Sequence, residues 1–364
     1  LWQAAELYAA TDDSASGRRA YAAYVERFPT PVEPAIEARQ ELADLAGAAG
    51  DAASRTRWLE ELVVAADASG SERSHLLAAR ASLELARPLD QLARSIGLAI
   101  PLDRSLAAKK AAMEASLSAY ARAAGYGIAE VTTAADFATA DLYRDLARAL
   151  LASERPTGLS AEELEQYDLL LEEQAYPFEE KAIGIHERNA GRAREGIYDQ
   201  WVRDSYAALA EMEPARYGRN ETLDGPAATD ASAAEVVQGL AAARAALDAG
   251  DTEAAVSHAK AALAVDPGNA AGLNLVGVTE RRRGHFGESR EAYEGAIASD
   301  AGFAAPQRNL GVLLDLYLGD PAGALPHYET YQQLTSGADP DVGPWLVELR
   351  TRLGQVQRTA EAQP

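Results

Sequence analysis

The sequence contains no cysteine. Disulfides, thiolate metal sites and cysteine nucleophiles are therefore outside its chemistry. Positive charge is short: 34 Lys and Arg stand against 56 Asp and Glu, a net charge of −22. A surface this acidic repels nucleic acid and anionic lipid. Lysine is the scarcer base, present only at Lys109, Lys110, Lys181 and Lys260. The acids are not gathered in a tail, since residues 231–364 hold 17 acids and 10 bases. No run of 18 apolar residues occurs, so the sequence offers no membrane-spanning helix. Valine and isoleucine are sparse, and no stretch alternates apolar and polar residues between turn signals, which argues against sheets. Phosphate loops are missing too: "GAAGDAAS" (47–54) and "GPAATDAS" (225–232) lack the lysine and the flanking strand. No serine sits in a nucleophile elbow. Residue 1 is Leu and no charged-then-apolar leader precedes it, so the chain reads as a mature or trimmed product, a reading that leaves room for a lost signal peptide or lipid anchor.

What is present is alanine and a hydrophobic content of 48%. Alanine is the best helix former, and its small side chain lets helices approach closely. The composition predicts an all-α chain with a large core. The C-terminal third then repeats itself. "LDAGDTEAAVSHAKAALAVDPGN" (247–269) is followed by "RRRGHFGESREAYEGAIASDAGF" (281–303) and by "LYLGDPAGALPHYETYQQL" (316–334). Gly250 and Gly284 are 34 positions apart, as are Asp266 and Asp300, whereas Gly319 comes 35 after Gly284. The third unit thus carries a one-residue insertion. "LVGV" (275–278) recurs as "NLGV" (309–312). A 34-residue period with a glycine-centred turn between two helices resembles the tetratricopeptide repeat (TPR). Gly277 and Gly311 stand where helix A must meet helix B, and Tyr293 and Tyr328 supply the bulk of helix B. An amphipathic helix near 343–357 reads as the cap such an array needs.

The first 216 residues repeat less regularly and predict an irregular TPR-like solenoid. "SGRRAYAAYVERFP" (16–29) has the form of a helix B, and residues 36–67 give helix, Gly50-Asp51 turn, helix. Long helices are predicted beyond, near 71–97, 103–124, 129–154, 160–193 and 195–212. Pro88 and Pro177 are expected to kink or split two of them. Ser160 with Glu163 forms a capping box. "YGRNETLDGPAATDASAAE" (217–235), poor in large apolar residues, reads as the linker to three TPR units and a cap in 236–364. "YVERFPTPVEPAIEARQELADL" (24–45), "LAIPLDRSLAAKKAAMEASLSAYARAAGYGIAEVTTAADF" (98–137) and "ALLASERPTGLSAEELEQYDLLLEEQAYPFEEKAIGIHERNAGRAREGIYDQWVRDSYAALAEMEPARYGRNE" (149–221) together resemble large TPR proteins of Gram-negative envelopes. Those are associated with energy transducers of the Tol/Exb kind and with gliding-motility machinery. The resemblance implies a periplasmic or outer-membrane-associated assembly factor, with such components as its protein or peptide partners.

"YPFEEKAIGIHERN" (176–189) is the one stretch that imitates a metal or acid–base site. A helical zinc-protease motif needs two histidines four apart. Here Ala190 stands where the second would be. Glu179 and His186 are two turns apart on one face, beside a row of Glu180 and Glu187, so the segment reads as an ordinary solvated helix face. A metal-dependent hydrolase centred on His186 is the rival reading. His75, His258, His285 and His327 have no partner at ligand spacing. No catalytic, cofactor or metal residue is assigned.

The remaining candidate is a peptide groove. In the repeat that this chain resembles, helix A lines the concave face. Counted from repeat starts at 236, 270 and 304, the groove positions fall on Arg244, Asn274, Val278, Arg281, Arg308 and Val312. Some TPR proteins clamp C-terminal carboxylates with basic and Asn residues. The corresponding positions here hold Leu240, Arg244, Leu275, Ala305 and Asn309, and only two of these could serve. Arg244, Arg281 and Arg308 form a local basic line in an acidic chain. They either read an acidic peptide or pair within the chain with acids such as Asp248 or Asp315. The sequence therefore predicts a non-enzymatic protein-interaction scaffold of the cell envelope. A structural subunit that stacks end to end is the alternative.

Overall fold

A computed structural model describes residues 1–11, 13–223 and 233–361. Within them the chain forms 17 α-helices and no strand. It is an all-α solenoid of helical hairpins, with three regular TPR-like helix pairs at its C-terminal end. Two compact units are present, Leu1–Asn189 and Ala190–Pro364.

The first unit contains α1 (Trp2–Ala10), α2 (Ser14–Arg27), α3 (Val32–Ala48), α4 (Ala52–Ser69), α5 (Glu72–Ser95), α6 (Leu102–Ala124), α7 (Ala129–Leu151) and most of α8 (Ala161–Gly191). From α1 to α7 each helix packs chiefly on those before and after it in sequence. Local chemistry sets the starts. The Asp13 and Asp51 carboxylates accept the backbone N–H of Ser16 and Ser54, the N-cap arrangement of an acid before a helix. The Ser160–Glu163 box is formed in both directions, Ser160 N–H to Glu163 at 2.8 Å and Glu163 N–H to Ser160 Oγ at 3.3 Å. Buried alanines bring α3 close to its neighbours, while Ile36, Leu59, Leu62 and Val63 fill the space between. A second cluster gathers Tyr120, Leu142, Leu146 and Leu150. Pro88 and Pro177 do not split their helices; α5 and α8 run through both. A proline inside a helix forfeits one N–H bond, and here neighbouring turns carry the helix across it.

The second unit begins with α9 (Gln200–Met212) and the short α10 (Pro214–Tyr217). The repeats follow as α11 (Ala233–Asp248) with α12 (Thr252–Val265), α13 (Ala270–Arg283) with α14 (Phe286–Ser299), and α15 (Ala304–Val312) with α16 (Pro321–Leu334). The cap is α17 (Val342–Glu361), seated through Trp345, Leu346 and Leu349. Each A-to-B turn holds its glycine at positive φ: 81° at Gly250, 83° at Gly284 and 67° at Gly319. A Cβ is disfavoured there, which is why the glycine recurs. The inserted residue of the third unit is absorbed as a π-helical turn, Leu313–Tyr317, at the end of α15. Leu318 N–H reaches back five residues to Leu313 C=O at 3.0 Å.

The boundary between the units differs from the sequence expectation of a linker at 217–235. Helices α9 and α10 belong with the repeats. The Tyr206 hydroxyl donates to Leu316 C=O at 3.0 Å, its ring lies 4.8 Å from that of Tyr317, and α10 packs on α17. Residues 218–223 are likewise held by the repeats, as described below. The remainder of the expected linker, 224–232, lies outside the described residues.

Helix A meets helix B at the two paired glycines. A Cβ on Gly277 would fall 2.3 Å from the Tyr293 ring, and one on Gly311 would fall 2.7 Å from Tyr328. Both tyrosines are fully buried. Gly277→Ala and Gly311→Ala are each expected to lower stability by about 1–3 kcal/mol through overpacking, read from denaturant midpoints. A loss under about 0.5 kcal/mol at either position would show that the helices can separate freely.

Candidate functional site

The helix-A faces of the second unit converge on one stretch of the chain itself, residues 219–223. This stretch has no regular secondary structure and is drawn along the groove from the cap toward the first repeat. Its contacts run in order. The Arg219 guanidinium donates to Asp315 in the π-turn and to Glu348 on α17. Arg308 of α15 donates through Nε to the Asn220 carbonyl at 3.1 Å and through Nη2 to the Asn220 side chain at 2.5 Å. Arg281 of α13 pairs with Glu221, with Nε 2.8 Å from Oε2, and the Tyr293 hydroxyl donates to Oε1 at 2.5 Å. Arg244 of α11 donates to the Leu223 carbonyl.

Thr222 is gripped through its backbone. Its N–H donates to Asn309 Oδ1 at 2.8 Å, and Asn309 Nδ2 returns a bond to the Thr222 carbonyl at 2.8 Å. Asn274 Nδ2 donates to the same carbonyl at 3.2 Å, and Asn274 Oδ1 accepts from Asn309 at 2.8 Å, which orients the clamp. Asn309 and Asn274 are buried. A buried carboxamide that satisfies both backbone polar groups of one residue replaces the partner strand that an extended residue lacks.

Electrostatics follow from the burial. Desolvation works against the Arg281 charge, but Glu221 more than offsets it and holds the guanidinium above its ordinary range. Burial first, then the Glu221 charge, pushes the Tyr293 hydroxyl well above its ordinary value, so it stays a donor. Aromatic rings stack under the cations: Arg219 lies 5.6 Å from the Tyr328 ring, and Arg308 lies 4.8 Å from Trp345. Beside the stretch is a cavity of about 410 Å³, lined by residues 219–223 with Val278, Arg281, Arg282, Val312 and Tyr317.

All six sequence-assigned groove residues are thus placed around this stretch. Arg244, Asn274, Arg281 and Arg308 bond it, and Val278 and Val312 line the cavity. Of the two expected uses of the arginines, pairing within the chain is the one seen, but with other acids: Glu221 for Arg281 and Asp339 for Arg308. Asp315, expected as an acceptor for the basic line, instead meets Arg219 and Arg352. Sequence reasoning missed Asn309 as a backbone clamp, Tyr293 as a donor, and the whole of 219–223. Asn309 was visible only as one of two residues suited to a carboxylate clamp.

The Glu/His stretch lies elsewhere, on α8. His186 is not on a solvated face but fully buried, 5.5 Å from the Phe137 ring. It falls on the packed stripe of Ala175, Ala182, Asn189 and Ala193, and Asn189 donates to Thr133 C=O at 3.0 Å. Burial, and secondarily Arg144, lowers its pKa to about 4 against the opposing pull of Asp141. Among the described residues no three His, Asp or Glu side chains come together as a metal site, and no helix is long and apolar enough to cross a membrane.

No protein-family model matches the chain, and no curated protein sequence does. Solved structures do. The TPR2AB-domain–pHSP90 complex of yeast Sti1 is 12% identical, covering 86% of this chain and 98% of that one at a TM-score of 0.30. The P58(IPK) TPR domain is 14% identical, covering 98% of each at a TM-score of 0.30. The APC/C hetero-tetramer Cut9–Hcn1 is 10% identical, covering 92% of this chain and 59% of that one at a TM-score of 0.30. These likenesses are loose, and the fold class rests on the helix pairs described above.

Two measurements test this geometry. Arg281→Ala strands Glu221, whose side chain is only 4% exposed; it is expected to cost about 3–5 kcal/mol, where a freely solvated arginine would cost under about 0.5 kcal/mol. For His186 the unfolded chain takes up a proton near pH 6.5, whereas the native one resists until about pH 4. Its stability contribution is whole above pH 6.5 and is lost as pH falls from 6.5 to 4, by at most about 3 kcal/mol. Denaturation of His186→Asn should show a shallower loss between pH 7 and 4.5 than the parent chain. Equal losses would show that His186 is not the titrating group.

Proposed function

We propose that this protein is a non-enzymatic interaction scaffold that holds extended peptide segments of other proteins on its helix-A faces. The observation that supports this most directly is the grip on residues 219–223. Two asparagines bond the backbone without regard to side chain, while Arg281, Tyr293 and Arg308 read a carboxylate and a carboxamide. That division of labour is how a surface recognises an extended chain: main-chain bonds supply affinity, and flanking side-chain contacts supply specificity. The place of action proposed is the bacterial envelope, periplasmic or outer-membrane-associated. Its basis is the resemblance of residues 16–221 to large envelope TPR proteins, whose energy-transducer and motility components are the partner class. The acidic surface fits protein partners better than nucleic acid.

The full chain, immobilised, should retain one or a few proteins in near-stoichiometric amount from an envelope extract and not from a cytoplasmic one. Retention should weaken as salt rises, because arginine–carboxylate contacts are screened. Retention from the cytoplasmic extract alone would overturn the envelope assignment, and retention from neither would overturn the scaffold reading.

A further inference from the structure

The occupied groove has a property that a bare groove lacks: it displays its own ligand. We propose that Arg219–Leu223 is a resident ligand in a peptide site, and that the site exchanges it for an internal extended segment of a partner protein. The segment required is a polar residue, a glutamate, and then a residue clamped by its backbone. This inference rests on the scaffold reading above and specifies the ligand.

Each part of the ligand description comes from a contact. Asn309 bonds both the N–H and the C=O of Thr222, with Asn274 on the same carbonyl. The grip continues past this residue, where Arg244 donates to the Leu223 carbonyl, so the site is matched to the interior of a chain rather than to a free C-terminus. The position before it must be a glutamate or its equivalent in charge and reach, because Arg281 and Tyr293 both donate to that carboxylate in a nearly dry pocket. An uncharged residue there leaves a buried guanidinium without its counter-ion. The position before that accepts from Arg308 through its side chain and its carbonyl.

The two ends of the resident segment are held unequally, which gives exchange a direction. Arg219 has a side chain with no exposed surface and sits between Asp315 and Glu348. Leu223 is held through its carbonyl by Arg244, an exposed residue. The cavity of about 410 Å³ runs beside the segment and is bounded by Val278, Arg282 and Val312. Release therefore begins at Leu223 and proceeds toward Arg219, with the cavity receiving the incoming chain. Because the resident segment is tethered, it competes at an effective concentration on the order of millimolar. A partner at micromolar concentration is then excluded about a thousandfold unless it makes further contacts or the segment is weakened.

The test weakens the segment and leaves the groove whole. Full-length protein carrying Asn220→Ala and Glu221→Gln is titrated against a fluorescein-labelled peptide of residues 217–225, with anisotropy as the readout. The double variant should bind this peptide at least tenfold more tightly than the parent chain. Adding Asn309→Ala should reverse the gain, and a peptide with glutamine in place of its glutamate should bind at least tenfold more weakly. In the unaltered chain, hydrogen exchange supplies an independent reading. The Thr222 amide should exchange at least a hundredfold faster than the central amides of α13, because the segment opens without global unfolding. Peptide binding no tighter than that of the parent, or Thr222 exchange only at the rate of the α13 core, would establish the segment as a permanent brace and overturn the proposal. A chain that retains envelope partners while failing here keeps the scaffold reading and loses this one. Should the double variant fail to fold, the exchange rate of the unaltered chain decides.

Discussion

A guanidinium removed from water must find anions, and the second unit is arranged around that requirement at Arg219. Its side chain has no exposed surface and meets Asp315 and Glu348. Asp315 meets Arg352 in turn at 2.6 Å. Buried pairs of this kind contribute little net stability when compared with apolar packing, but leaving one member alone is severe. The interaction therefore acts as a constraint on geometry. It demands that the stretch after α10, the π-turn of the third repeat and the cap helix arrive at one point, although Arg219 lies 96 residues before Asp315 and 129 before Glu348. Once Arg219 is seated, residues 220–223 fall across the helix-A faces in order.

The repeat architecture was legible because its causes are local and periodic. Positive φ demands glycine at Gly250, Gly284 and Gly319, and close helix approach demands glycine opposite Tyr293 and Tyr328. Counting from the repeat starts also picked out six residues that surround the stretch 219–223. The contents of the groove were not legible. Glu221 and Thr222 sit in a stretch whose composition resembles a linker, and their partners lie 52 to 87 residues away. Nothing local distinguishes a solvated polar residue from one held by distant side chains. Helices α9 and α10 are fastened to the repeats by long-range contacts, at Tyr206 and against α17, that no local pattern announces. His186 was misread because its acidic neighbours drew attention from the spacing of Ala175, Ala182, Asn189 and Ala193. Ala175, Ala182 and Asn189 recur at seven-residue steps and Ala193 follows one turn later; such spacing marks a packed stripe, and that signal was available.

The single insertion of the third repeat has a physical meaning. Deleting it would restore the 34-residue period but would re-phase the end of α15. Leu313–Tyr317 carry Asp315 toward Arg219 and place Tyr317 between Tyr206 and Phe286, at 4.8 Å and 5.4 Å. Single-turn π bulges commonly reposition side chains for a task. Here the task is to fasten the resident segment at one end. An array with a regularised third unit would keep its helices and lose the anchor.

Repeat stacks ordinarily touch only nearest neighbours, so they fray from their ends one unit at a time. Residues 219–223 change that, because they bond the cap, the third, second and first units along a single line. The stack behaves as a laced rod, not a pile of hairpins, and its stiffness depends on the lace. Because one continuous stretch bonds all four, loosening it at a single residue is felt along the stacked helices of the second unit.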